Sequence, residues 1–401
     1  MLRTALSGLT VIDFTQIGAG PTCSMLMADM GARVIKVEAP EGELGRMLGP
    51  PWIGDDSALF QAFNRNKLGL CLDLKACEGL AVAKALIAQA DIVIESMRPG
   101  VMDRLGLGYA QLAPEHPRLI YCSVSAYGQS GPYAGHAGVD GILQADTGLM
   151  SLIGSPGTEP GKVQAPVVDV VTGYVACMGI LAKLNERARD GMGGQLDVNL
   201  MNSALALQQS SFTSYLSDGE LPNRIGSAAP YSAPNEAFET ADGWIMVAAY
   251  SGNRWDRLCE VLALPRLIDD ERFATSPKRV ANRDAMRTAL TAAFRSKSTG
   301  QWLALLREAD ILCARVASYD DVERHPQVAA NAMIATMDHP ALGAIRTPGF
   351  PINSAETNAV PHAPAPARGQ HSRAILAAFG FGAEQIDRLV EQRVVLCAPA
   401  P

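Results

Sequence analysis

LTVIDFTQIGAGPTCSMLMADMGARVIKVE, residues Leu9–Glu38, reads as strand, glycine turn, helix, strand. Leu9–Phe14 is an apolar run of strand length, Gly18–Pro21 punctuates it, Thr22–Met30 has helical spacing, and Ala32–Glu38 is a second apolar run. That order is a βαβ unit, whose two strands pair in parallel through the crossover helix. Working outward, Leu70–Leu74 predicts a strand, Gly79–Gln89 a helix, Asp91–Glu95 a strand, Met102–Leu107 a short helix and Leu119–Val124 another strand. The alternation predicts one doubly wound α/β domain. The same glycine turn imitates a dinucleotide fingerprint, with Glu38 placed like a ribose-binding acid. Cys23 replaces the third glycine and Pro21 removes a backbone donor, so NAD binding is carried only as a distant alternative.

Farther along, Gln195–Asn199 predicts a strand and Met201–Leu216 a helix. Residues 217–234 turn polar and proline-containing, as a linker does. Ala237–Ala249 predicts a hairpin, and helical patterns fill Asn253–Ala309. A second boundary falls near Ser318–Ala330; short strands or loops follow at His339–Ile352, a Pro/Ala link at Pro361–Arg368, and a final helix or helix pair at Ser372–Val395.

The 401 residues suffice for two domains, and 48% hydrophobic with 19% charged residues describes a globular chain. A net charge of -7 argues against nucleic acid as a partner. MLRTALSGL lacks the apolar core of a secretory signal, and no segment reads as long enough to span a bilayer; a cytoplasmic protein without a membrane partner is expected. Eight cysteines without a CxxC pair and six unclustered histidines predict no metal site.

One stretch carries a candidate chemistry. In VQAPVVDVVTG (Val163–Gly173) a single carboxylate, Asp169, interrupts an apolar run that opens a helix-compatible segment. Gly173, Ala176 and Gly179, three apart, suit close helix packing. Asp169 reads either as a helix N-cap or as an ionised nucleophile held at a helix start.

Pieces spread over nearly the whole chain resemble the family III CoA-transferases, the CaiB/BaiF group that includes formyl-CoA and carnitine CoA-transferases. They are DFTQIGAGP (Asp13–Pro21), ADMGARVIKVE (Ala28–Glu38), NRNKLGLCLDLK (Asn64–Lys75), RPGVMDRLGLGY (Arg98–Tyr109), GQSGPY (Gly128–Tyr133), LQADTGLMSLIG (Leu143–Gly154), the Asp169 stretch, RFATSPKRVANR (Arg272–Arg283) and HPALGAIRTPGFPI (His339–Ile352). The resemblance implies that Asp169 is the nucleophile of a CoA transfer through aspartyl anhydride and aspartyl-CoA thioester intermediates, with acyl-CoA and a small carboxylic acid as substrates and no metal. It assigns Arg98, Lys67, Lys75 and Arg104 to the CoA phosphates; Lys67 and Lys75 read equally well as solvated strand ends. Asp140 matches a carboxylate beside the nucleophile, or is a plain loop acid. Gly18, Gly20 and the Gly138–Gly141 loop are candidate oxyanion donors. The implied architecture is a Rossmann-like large domain built from both chain ends (1–216 and 326–401), a linker (217–234) and a smaller α+β domain (235–325), in a homodimer of two interlocked chains with crossings at 217–234 and 355–370.

Departures bear on substrate. The formyl-CoA enzymes carry glutamine, lysine and tyrosine where this chain has Gly18, Ala137 and Val139, they have a tetraglycine run absent here, and Ser96 replaces an asparagine. These differences turn the expectation from formate or oxalate toward a larger acid. The alternative within the superfamily, the α-methylacyl-CoA racemase, pairs an aspartate with the histidine of a Gly-His-Asp run; here Val139 precedes Asp140 and the nearest histidine is His136.

Overall fold

The computed structural model describes residues 2–340, 342–353 and 362–398. It divides into two compact units. The larger comprises Met1–Met150, Lys162–Glu220 and Pro326–Pro401; the smaller comprises Ser151–Gly161 and Leu221–His325. The sequence boundaries had put 151–161 in the large domain. Of the expected crossing at 355–370, residues 355–361 lie outside the described residues.

The larger unit is built on β1 (Thr10–Phe14), α1 (Ala19–Asp29), β2 (Arg33–Glu38), β3 (Leu68–Leu72), α2 (Cys77–Ile87), β4 (Ile92–Glu95), β5 (Ile120–Ser125), α3 (Asp140–Asp146), α4 (Val167–Asp190), β6 (Gly194–Asn199) and β7 (Val395–Leu396). The strands form one seven-stranded sheet in the order β7-β3-β2-β1-β4-β5-β6. All neighbours are parallel except β7, which runs antiparallel to β3. Side-chain alternation along β1 explains why both faces are covered. Val11 joins Val34 and Ile92 in a core beneath α1 and α4, whereas Ile12 and Phe14 join Ile35 and Leu70 in a second core beneath α2 and the helices Ser372–Ala378 and Ala383–Glu391.

Several boundaries differ from the sequence reading for local reasons. α1 starts inside the expected turn, because Gly20 and Pro21 sit in its first turn, where a missing N–H costs nothing. The expected helix 201–216 is two, Leu200–Leu207 and Gln209–Asp218, joined at Gln208. The exclusion of a spanning segment needs correction: α4 is long and apolar enough to cross a membrane by length and composition. Residues 167–184 carry only Asp169 and Lys183 as charges. In this fold the apolarity serves packing, since Val168, Ala176, Cys177 and Ile180 belong to the core shared with α1.

The smaller unit is α+β. Asn235–Glu239 and Trp244–Ala248 form the expected hairpin, and Leu312–Arg315 adds a third antiparallel strand. Helices Gly252–Val261, Arg283–Phe294 and Thr299–Glu308 close its core around Phe238, Trp255, Phe294 and Trp302.

Candidate active site

In a doubly wound sheet, ligands bind beyond the carboxyl ends of the strands where the strand order reverses. Here that point lies between β1 and β4. A cavity of about 280 Å³ opens there, lined by Gln16–Gly20 after β1, Ser96–Arg98 after β4, Val124–Ala126 at the end of β5, Gly138 and Val139, Asp169 and Leu200. The sheet thus brings Asp169, Arg98, Gly18 and Gly20 to one place.

Asp169 lies in the first turn of α4 and is not its cap. Pro166 occupies the cap position and makes no side-chain cap bond. Asp140 supplies the missing acceptor: its Oδ1 receives the Val168 N–H at 2.8 Å and the Asp169 N–H at 3.4 Å. Gln144 holds that carboxylate in turn, donating Nε2 to Asp140 Oδ2 at 2.6 Å while exchanging two bonds with the Val163 backbone. Asp140 therefore holds the start of the helix that carries Asp169, and Gln144 ties down the approach to it. The sequence reading missed Gln144; its signal was the i, i+4 spacing from Asp140.

Asp169 is 7% exposed, and burial pushes its carboxyl up to about 7, with the negative charge of Asp140 adding to the effect. A helix start alone would lower the value. Burial therefore works against the expectation that the helix start keeps Asp169 anionic: lost hydration outweighs the dipole and favours the protonated carboxyl. A carboxylate this basic is a stronger nucleophile than a solvated one. The glycine before it in space is required by contact. A Cβ built on Gly18 would lie 3.0 Å from Asp169 Cβ and collide with Oδ2, and one on Gly20 would collide with the Thr15 side chain.

The four proposed phosphate cations separate. Arg98 is exposed at the cavity. Lys75 is exposed and lines a second cavity of about 220 Å³, with Pro40, Leu72 and Leu105; the two cavities share Gln16 and Met97. Arg104 is exposed beside Gly100 and lines neither cavity. Lys67 is a correction. Its amine is buried, bonded to Asn64 Oδ1 at 2.8 Å and to Asp13 Oδ2 and the Pro21 carbonyl at 3.1 Å each. Burial pulls it down to about 8. Lys67 supports the first turn of α1 from within and is closed to a phosphate.

Neither alternative chemistry is assembled. Glu38, the acid a dinucleotide reading would put on a ribose, is buried and held by Arg46 at 2.7 Å. His136 packs on Tyr133, ring centroids 4.8 Å apart, and is not among the residues lining the Asp169 cavity. Of the four residue positions that depart from the family pattern, Gly18, Ser96 and Val139 line that cavity and Ala137 does not. Among the described residues no three His, Cys, Asp or Glu side chains gather as metal ligands would.

Asp140→Asn separates the two effects of that residue. Asparagine keeps an oxygen for the Val168 N–H but removes the charge and the acceptor for Gln144 Nε2, so the acid limb of the kcat/KM pH profile should move to lower pH while burial keeps it well above 4. Asp140→Ala, which removes the Val168 acceptor as well, should cost about 1–2 kcal/mol of stability in denaturant unfolding. An unmoved acid limb in Asp140→Asn would remove Asp140 from the electrostatics of the site.

Comparison with known proteins places nearly the whole chain in one family. The model of CoA-transferase family III matches residues 6–372. The mouse succinyl-CoA:glutarate CoA-transferase is 35% identical over 372 residues, covering 92% of this chain and 85% of the mouse protein. A succinate–glutarate CoA-transferase of Agrobacterium fabrum is 34% identical over 385 residues, covering 94% and 96%. Among solved structures, a CaiB/BaiF family protein from Brucella suis superposes with a TM-score of 0.84 at 34% identity, covering 94% of this chain and 99% of that one.

Proposed function

The chain belongs to CoA-transferase family III, and from that premise we propose that Asp169 moves CoA from succinyl-CoA to a second dicarboxylate of about glutarate's size. One observation carries the reading: a single buried carboxylate, raised to about 7, faces the cavity at the switch point of the sheet.

The proposed cycle balances without redox change or a net proton. A carboxylate oxygen of Asp169 attacks the thioester carbonyl, the C–S bond breaks, and CoA leaves as thiolate from a mixed anhydride. The thiolate attacks the aspartyl carbonyl and expels the donor acid, leaving an aspartyl-CoA thioester. The acceptor carboxylate then attacks that carbonyl, CoA leaves again, and its attack on the acceptor acyl carbon of the second anhydride frees Asp169. Every attack passes through a tetrahedral oxyanion. The free N–H groups at the start of α1 and the backbone at Gly138 are the proposed donors to it, because the first N–H groups of a helix have no partner within it. CoA is proposed to follow the two adjoining cavities, with its phosphates meeting Arg98 and Lys75.

The dicarboxylate assignment draws on the names of the mouse and Agrobacterium relatives and on the small residues Gly18 and Val139 where formyl-CoA enzymes have larger ones. An interlocked homodimer in the cytoplasm completes the proposal. Tyr174 and Met178 on α4, and Phe212 and Leu216 on the helix Gln209–Asp218, are exposed apolar side chains that suit burial against a second copy.

Succinyl-CoA incubated with glutarate should yield glutaryl-CoA by chromatography, much faster than formate yields formyl-CoA. The absence of exchange with any dicarboxylate, together with α-proton exchange of a 2-methylacyl-CoA in deuterated water, would replace this reading with an isomerase.

A further inference from the structure

The loop that presents Gly18 to Asp169 is held in a conformation its sequence resists. Ile17 has φ 69°, the left-handed region, where a β-branched residue pays about 1–2 kcal/mol. Something must offset that cost. On one side the Gln16 N–H donates to Ser96 Oγ at 3.0 Å. On the other the Ile17 N–H donates to Glu43 Oε2 at 3.3 Å. Glu43 is itself fixed: the same Oε2 accepts from Lys36 Nζ at 2.9 Å, in an ion pair with side-chain exposures of 2% and 0%. Lys36 Nζ also donates to the Thr15 carbonyl at 3.0 Å, so one buried ammonium ties the start of the loop to the carboxylate that pins its middle. Gly45 packs closely against both Glu43 and Ile17. A Cβ on Gly45 would lie 2.5 Å from Glu43 Oε1 and 3.4 Å from Ile17 Cα.

A buried ion pair is a poor source of stability compared with apolar side chains of similar volume. Its presence beside a strained loop calls for another reason. We propose that the Lys36–Glu43 pair is a positioning device for the transferase reaction: Glu43 clamps Ile17 in the left-handed conformation, and so fixes Gly18 and the start of α1 against the Asp169 carboxylate. This rests on Asp169 as nucleophile. Glu43 touches no reacting atom; it acts through Ile17. A displacement of about 1 Å at a reacting centre costs about 100-fold in rate, which sets the scale of what the clamp protects.

Two variants that differ only in the clamp test this. Lys36→Met with Glu43→Leu removes both charges and the acceptor; Lys36→Met with Glu43→Gln removes both charges but keeps an acceptor oxygen for the Ile17 N–H. The first should lose about 10–100-fold in kcat with the acyl-CoA KM changed by less than about 3-fold, and the second should recover most of that loss. In an Ile17→Gly background, where glycine adopts the positive φ without strain, the difference between the two should shrink. Equal kcat in the two variants, or an undiminished difference with Gly at 17, would overturn the proposal. Should the Leu variant fail to fold, hydrogen exchange on the wild-type protein decides: the Ile17 amide is expected to be strongly protected, and exchange at the rate of an open loop would overturn the clamp. If Asp169 is trapped as an acyl intermediate while the paired variants behave alike, only the clamp fails.

Discussion

Replacing Asp169 with alanine is expected to slow CoA transfer by at least about 10⁴-fold while leaving the fold intact, because no other carboxylate can form the anhydride at that position. The cavity offers no substitute. Asp140 spends its oxygens on the Val168 N–H and Gln144, and Glu95, also near the β4 end, is buried and bonded to the Met97 N–H. The conservative Asp169→Asn change should be equally inactive, and its stability should carry a signature. Burial raises the Asp169 carboxyl in the folded protein to about 7 from an ordinary value of 3.8. Between those two values the folded state holds a proton that the unfolded state has lost, so stability falls as pH rises through that window. Above about pH 7 the folded protein bears the whole cost of a buried charge, on the order of 2–4 kcal/mol. Asp169→Asn should therefore unfold at higher denaturant than wild type at pH 8, with the advantage fading toward pH 4. Equal stability of the two at pH 8 would show that the carboxyl is not held in a desolvated site.

Gly173→Val should be the most damaging change away from the chemistry. A Cβ on Gly173 would lie 2.7 Å from the Ala19 carbonyl and 2.5 Å from Thr22 Cβ, so valine must drive α4 off α1. Valine is the slightly better helix former, yet overpacking against a backbone should dominate and cost about 3 kcal/mol. Because Ala19 begins α1 at the Asp169 cavity, kcat should fall with stability. Gly179 is the built-in control. A Cβ there would meet only Leu196 Cδ1, at 3.5 Å, so Gly179→Val should change stability by less than about 1 kcal/mol in urea unfolding. Similar losses from both would mean that the two helices do not approach as described.

The contrast between those glycines marks how far the sequence could be read. The three-apart spacing of Gly173, Ala176 and Gly179 pointed to close packing, but the helix turns by 3.6 residues, so Gly173, Ala176 and Ile180 share the buried face and Gly179 falls off it. The parallel sheet was legible in Leu9–Glu38 because apolar runs and a glycine turn are local signals, and the place of Asp169 at the start of a helix was legible because a lone carboxylate opening an apolar run is a local signal too. What escaped was whatever depends on three-dimensional partners. Lys67 carries a charge and follows Asn64-Arg65-Asn66, which reads as a surface strand end, yet the fold turns its amine inward to Asp13. No residue type announces a left-handed isoleucine, so Ile17 gave no sign of its role. The N-cap reading of Asp169 was displaced by Asp140, 29 residues earlier, which supplies the acceptor from a different helix.

Asp169 is proposed to become covalently acylated during turnover. Wild-type protein incubated with succinyl-CoA, quenched with hydroxylamine and digested should give a single new hydroxamate, mapped by mass spectrometry to Asp169, because hydroxylamine intercepts both an anhydride and a thioester at that carbonyl. A labelled peptide from elsewhere in the chain, or no label from protein that is turning over, would contradict the account.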